Sequence, residues 1–121
     1  MEKVNLAQKF ASFSEHWSPK VVAELNGQHV KVCKFQGEYI WHHHDDEDEM
    51  FLVTKGSMRL EFRDRTVELS EGEFCVVPRG VEHRPVAERE VECLVFEPAT
   101  TRNTGNVVNE RTVEGADLDR I

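Results

Sequence analysis

The chain reads as an all-β domain, a sandwich or barrel with a short helix before it and an irregular tail behind. Two observations predict this class. From Pro19 to Phe96 the apolar residues come in short strand-length runs, and Gly- or acid-containing turns separate most of them. No helical period recurs between those runs, which excludes alternating βαβ units and points to a sandwich or barrel. At 121 residues the chain has the size of one domain with one core.

Residues 1–14 carry the one helical pattern, with Leu6, Phe10 and Phe13 spaced at i, i+4 and i+7 and Asn5 placed to cap the start. Ser18-Pro19 ends it. Candidate strands follow at 20–25, 29–35, 39–44, 49–54, 57–63, 66–69, 73–77, 82–86 and 90–96. Asn26-Gly27, Gly37, Lys55-Gly56, Asp64, Glu71-Gly72 and Arg79-Gly80 mark turns between them.

Alternation is cleanest at 57–63, where Met58, Leu60 and Phe62 share one face and Ser57, Arg59, Glu61 and Arg63 the other. Strand 49–54 differs, because Phe51 and Val53 make one apolar face and Met50 and Leu52 make a second. Residues 91–96 repeat that doubling. A strand that is apolar on both faces needs cover on both, so an outer face should pack against the helix, a second subunit, or both, with homodimerisation the preferred version. Residues 99–121 are polar, with sparse apolar residues, and read as a tail with frayed ends lying over the domain or a neighbour. The expected division is therefore an N-terminal helical arm at 1–17, a barrel at 18–98 and a tail at 99–121.

The formal net charge of −8 argues against nucleic acid as a partner, since phosphate recognition needs a basic face. No apolar run reaches the roughly 18 residues of a membrane helix, and the first residues lack a signal-peptide core, so the expected location is the cytoplasm with no membrane partner. Cys33, Cys75 and Cys93 are an odd number, widely spaced and without a CxxC pair. They read as buried free thiols, not as a disulfide framework or a thiolate zinc site.

One stretch, GEYIWHHHDDEDEMFLVTKG from Gly37 to Gly56, holds three consecutive histidines beside five consecutive acids. In an extended chain His42 and His44 project together and His43 points away. Residues 45–48 make an acidic turn without the glycine and alternating ligands of a calcium loop, which leaves them solvated. Glu49 then starts the returning strand on the same face as Phe51 and Val53, beside the two histidines.

A second cluster, GEFCVVPRGVEH, ends on His83 after a rigid Pro78-Arg79-Gly80 turn. Together the two clusters offer His42, His44, Glu49 and His83, a ligand set suited to borderline first-row metals. His43, His16 and His29 read as surface, interface or satisfied core histidines. Arg59, Arg63 and Arg79 read as wet-face residues. Tyr39 and Trp41 share the parity of His43 and should pack outward.

The spacing of these residues resembles the paired motifs of the cupin superfamily. The first motif is matched by Gly37, His42, His44, Glu49 and Gly56, and the second by Gly72, Pro78, Gly80 and His83. The likeness spans about residues 31 to 96. It departs in having four residues between Gly37 and His42 where five are usual, and Ala87 where the second motif often ends in asparagine. Membership implies a jelly-roll β-barrel, commonly dimeric, with a divalent metal held inside by those three histidines and the glutamate.

The resemblance does not name a reaction, because one fold hosts many. The first reading is a metal-dependent enzyme, of oxygenase or isomerase type, acting on a small oxygen-rich organic molecule. Iron, manganese, nickel or zinc would fit the ligands, and Glu49 is either a ligand or a base. The other readings are a non-catalytic binding or sensing domain for a small ligand such as a sugar or organic acid, and a metal-holding barrel without turnover. No serine or cysteine carries an activating partner, which disfavours covalent catalysis.

Overall fold

A computed structural model describes residues 1–121. Helix α1 (Leu6–Ala11) precedes strands β1 (Lys20–Leu25), β2 (Gln28–Glu38), β3 (Glu49–Lys55), β4 (Ser57–Phe62), β5 (Thr66–Ser70), β6 (Phe74–Val77), β7 (His83–Pro98) and β8 (Asp119–Arg120). Along one path the strands are ordered β5-β4-β7-β2-β1-β8, and β3 joins β7 to β6, giving a jelly-roll barrel.

Strand β7 organises the barrel. Its first half pairs with β4, from Phe62↔His83 to Arg59↔Val86, and its second half pairs with β3, from Met50↔Phe96 to Lys55↔Glu92. Along nearly its whole length it also pairs with β2. The 82–86 and 90–96 runs thus belong to one strand, His83–Pro98, which stays extended through residues 88–90 although these have no partner in a ladder. A register shift sets residues 88–90 of β7 against Gln36 alone, a bulge in β7 beside Gly37, whose φ is +84°.

Alternation sets the interior. Cys33, Phe35, Phe51, Val53, Leu60, Val91, Cys93 and Val95 point into one core. Leu60 and Val53 have no exposed surface, and truncating a leucine so placed costs about 2–5 kcal/mol. Cys75 is only half-buried, unlike Cys33 and Cys93, because it lies on the short outer strand β6.

Several expectations need correction. The helix is shorter than the 1–14 pattern, although Asn5 does cap it, its side chain accepting from Gln8 N at 3.0 Å. Residues 39–44 form no strand. They are tied to β7 by an isolated bridge, His42↔His83, and by Tyr39 N donating to Pro85 O at 3.0 Å. The C-terminus is not frayed, since β8 runs parallel to β1 with Lys20↔Asp119 and Val21↔Arg120 paired.

The segment before β8 lies against the histidine-rich loop. Asn106 N donates to His43 O at 2.9 Å, and His43 N donates to Asn106 Oδ1 at 2.8 Å. Gly105 makes this approach feasible, because a Cβ there would sit 2.1 Å from His43 O.

Candidate metal centre

Each of the four sequence-predicted ligands is buried, and their ligand atoms lie within 4.8 Å of one another. Glu49 enters from the first residue of β3 and His83 from the first residue of β7, while His42 and His44 come from the loop between β2 and β3. The ring centroids of His42 and His83 are 4.4 Å apart, and those of His42 and His44 are 5.0 Å apart. His43 leaves the cluster and pairs with Asp45 at 2.9 Å.

Two backbone carbonyls set the chemistry of the rings. His42 Nδ1 donates to Ile40 O at 2.9 Å, and His83 Nδ1 donates to Val81 O at 2.9 Å. Each proton is thereby held on Nδ1, which leaves Nε2 of the neutral ring as a lone pair facing the cluster. Hydrogen bonds from the far ring nitrogen to a carbonyl orient metal-binding histidines in this way. Facing them is Glu49 Oε1, 3.2 Å from His83 Nε2 and 3.3 Å from His44 Nε2. The His44 contact lacks hydrogen-bond geometry, so that buried nitrogen has no partner.

Acceptors of like character converge here, and only a proton or a cation relieves them. The donor set therefore fits a divalent metal. Burial pushes the His42 pKa down to about 4, with the His83 charge adding to it. For His83 burial also lowers the pKa, but the hydrogen bond and charge of Glu49 outweigh it and raise the value. Burial would raise Glu49, yet the His44 and His83 rings beside its carboxylate hold it well below the usual carboxylate range.

Beside the cluster lies a cavity of about 40 Å³, reached by His42 and Glu49 and walled by Trp17, Phe35, Tyr39, Phe51, Pro85 and Val95. That is room for roughly three water molecules or the head of a small ligand. Tyr39 corrects an expectation: it points inward, its ring 5.5 Å from His42 in an edge-on contact. Because 39–44 is not a strand, period-two parity does not apply there. Trp17 stacks on both Phe35 and Tyr39, at 4.6 and 4.7 Å, from a left-handed backbone with φ +57°. Such a conformation is costly for a bulky side chain, and the two stacks and the Nε1 bond to Gln36 O at 3.0 Å hold it.

Trp41 does face outward, under Arg63 and Arg84. The arginines singled out in the sequence pair with surface acids: Arg59 with Glu61 and Glu88, Arg63 with Glu82, Arg79 with Asp48. His16 pairs with Glu90 and buried His29 with Glu24.

The sequence reading missed Glu97, Lys31 and Asn103. Glu97 and Asn103 line the cavity, and Lys31 bonds Glu97 from β2. The signal for Glu97 was present, since the inward series Val91, Cys93, Val95 reaches it two residues further on. Burial raises the Glu97 pKa well above the usual carboxylate range, and the charge of Glu49 adds to that against the pull of Lys31.

Known proteins agree with this architecture. A family model described as a cupin domain matches residues 30–98. A cupin-2 domain containing protein from Shewanella frigidimarina is 44% identical, with a TM-score of 0.78 over 78% of this chain and 93% of that one. Protein NMB1881 from Neisseria meningitidis is 33% identical, with a TM-score of 0.74 over 80% of this chain and 99% of that one. The uncharacterized protein YdbB of Bacillus subtilis is 37% identical over 64% of this chain, and the match spans 63% of YdbB. With both motifs in one barrel and the family model covering more than half its length, the chain belongs to the cupin family.

Proposed function

We propose that the protein is a metal-dependent enzyme, of oxygenase or isomerase type, acting on a small oxygen-rich organic molecule. One observation carries this reading. Nε2 of His42 and of His83 is committed to the cluster by backbone bonds at Nδ1, and both face Glu49 in a buried site that opens on a cavity. His42, His44, His83 and Glu49 would hold the ion, and iron, manganese, nickel or zinc suits the set. When bound, such an ion supplies Lewis-acid or dioxygen chemistry.

The remaining roles fall to the chain. Glu49 either completes the ligand set or takes a proton from the ligand, and the aromatic walls exclude bulk water. The experiment is elemental analysis of the untagged protein followed by dioxygen uptake on a panel of chelating acids and neutral hydroxyketones. Iron with uptake selects an oxygenase; zinc or nickel without uptake moves the reading toward isomerisation or ligand binding. Absence of stoichiometric metal rejects the proposal.

A non-catalytic role in binding a small ligand is the second reading, and the same cavity supports it. Its size of about 40 Å³ favours a ligand of few atoms over a sugar chain. A metal-holding barrel without a ligand is disfavoured, since the cavity carries polar groups beyond the cluster.

The preferred assembly is a homodimer. Outward residues of β6, β3 and β7 line up in two apolar rows, Phe74–Leu52–Leu94 and Val76–Met50–Phe96. Phe74 is 61% exposed and Val76 50% exposed. Helix α1 packs on β2 and leaves these rows uncovered. A second copy of the same face would bury them.

A further inference from the structure

The cavity beside the histidine cluster has a second polar element for which the ligand set has no use. Lys31 and Glu97 are 1% and 3% exposed, and Lys31 Nζ donates to Glu97 Oε1 at 2.6 Å. The other carboxylate oxygen, Glu97 Oε2, is buried and takes no hydrogen bond from any N–H or O–H donor of the chain; its polar neighbour is the Glu49 carboxyl group. Strand pairing sets where the side chain lies. One residue beyond the Met50↔Phe96 pair, Glu49 and Glu97 come opposite one another on the inward face of β3 and β7, and both line the cavity.

A buried ion pair is a poor device for stability, because an apolar pair of similar volume does as well or better. An unpartnered buried oxygen is worse still. The arrangement makes physical sense if something in the cavity takes that oxygen. We propose that Glu97, held by Lys31, is a ligand-reading residue whose free oxygen hydrogen-bonds a hydroxyl group of the small molecule bound beside His42 and Glu49. This rests on the reading of the site as a metal centre for a small oxygen-rich molecule, and it names the group on that molecule.

A hydroxyl is singled out on two grounds. It both donates and accepts, so it pairs with a carboxyl group in either protonation state. A ligand carboxylate at the same place would face both Glu49 and Glu97 and be repelled. The flanking Trp17, Phe35 and Tyr39 offer apolar walls, and the cavity volume limits the ligand to a few heavy atoms. The ligand class is therefore a short neutral hydroxylated molecule, such as a hydroxyketone.

Hydroxyacetone and acetone differ by that one hydroxyl, and both are neutral. Their binding to zinc-loaded protein is measured by ligand-observed NMR titration, with zinc content and melting temperature recorded in parallel. Wild-type protein is expected to bind hydroxyacetone about tenfold or more tightly than acetone, the ratio that one well-placed hydrogen bond supplies. The double variant Glu97→Leu with Lys31→Met replaces the pair by apolar groups. It is expected to keep zinc and fold while the preference drops to within about twofold.

An unchanged preference in the double variant would mean that the hydroxyl is read elsewhere, by the metal for example, and overturns the proposal. So does the absence of any preference in the wild type. Where the double variant does not fold, Glu97→Asp keeps a charge for Lys31 but withdraws the oxygen by one methylene. That variant is expected to lose the preference several-fold, and retention overturns the assignment. If the wild type takes up no zinc, the metal reading fails by itself, and the same titration on metal-free protein still decides the role of Glu97.

Discussion

Glu49 Oε1 sits 3.2 Å from His83 Nε2, while the opposite nitrogen of the same ring donates to the Val81 carbonyl at 2.9 Å. The two residues are 34 positions apart and begin two different strands. With its one proton committed to the backbone, a neutral His83 presents a lone pair to a carboxylate. The contact is favourable only if a proton or a metal ion lies between them.

Removing that ring tests the ligand set. His83→Ala is expected to lower metal occupancy at least tenfold while the far-ultraviolet circular dichroism of the barrel persists. A buried truncation of this kind also costs about 1–3 kcal/mol of stability. Full occupancy in the variant, by elemental analysis, would remove His83 from the set.

Acid should destabilise the metal-free protein through His42. Its folded pKa of about 4 lies below the roughly 6.5 of a free histidine, so between those values the unfolded chain binds more protons. Stability therefore falls as pH drops from about 6.5 to 4, at most by about 3 kcal/mol from this group. His83 opposes it: its raised folded value adds stability below the unfolded pKa, lost as pH rises through the folded one. In urea titrations across this range, His42→Gln should flatten the loss on acidification; an unchanged slope would show that other groups set it.

Metal binding has the same sign for a different reason. Protons compete for the Nε2 lone pairs, and His83, with its raised pKa, is the first of the shifted rings to be protonated. Metal affinity should fall as pH drops through about 6.5. Competition with a chelator of known pH dependence measures it, and affinity flat from pH 7.5 to about 5 would contradict imidazole ligation.

The exposed rows of β3, β6 and β7 make a prediction about assembly. Phe74→Asp places a charge on the most exposed ring of that face and should convert a dimer to a monomer without loss of metal. Light scattering after size-exclusion chromatography reads both species. A wild-type protein that is monomeric at millimolar concentration would refute the dimer.

Gly105→Ala tests whether the tail supports the site. A Cβ there meets His43 O at 2.1 Å and the His42 ring at 3.1 Å, in a backbone with φ +57°. The tail must shift, at a cost of about 1–3 kcal/mol, and the histidine loop should loosen with it. A lower midpoint in urea together with weaker metal binding is expected. Loss of stability alone would mean that the tail is a strap and not part of the site.

Much of the histidine–glutamate cluster was legible because it depends on short-range rules. His42, His44 and Glu49 follow from spacing and from the alternation that makes Phe51 and Val53 inward, and His83 follows from its position after a rigid turn. These rules also separated the solvated 45–48 turn from the inward residues. They failed where the chain is not regular: Tyr39 obeys no strand parity, because 39–44 is held by one bridge, by single backbone bonds and by the tail instead of a ladder.

By itself the sequence determined the all-β class, the inward histidines and glutamate, and the apolar second face of β3. Each comes from a period of two residues or from a turn that few residue types can make. Only the tertiary structure decided that two histidine protons are held on backbone carbonyls, that 82–86 and 90–96 are one strand, and that Glu97 stands opposite Glu49. The Lys31–Glu97 pair spans 66 positions and the Met50↔Phe96 ladder joins two distant strands. Pairings of that range are set by barrel closure, and no local pattern encodes them.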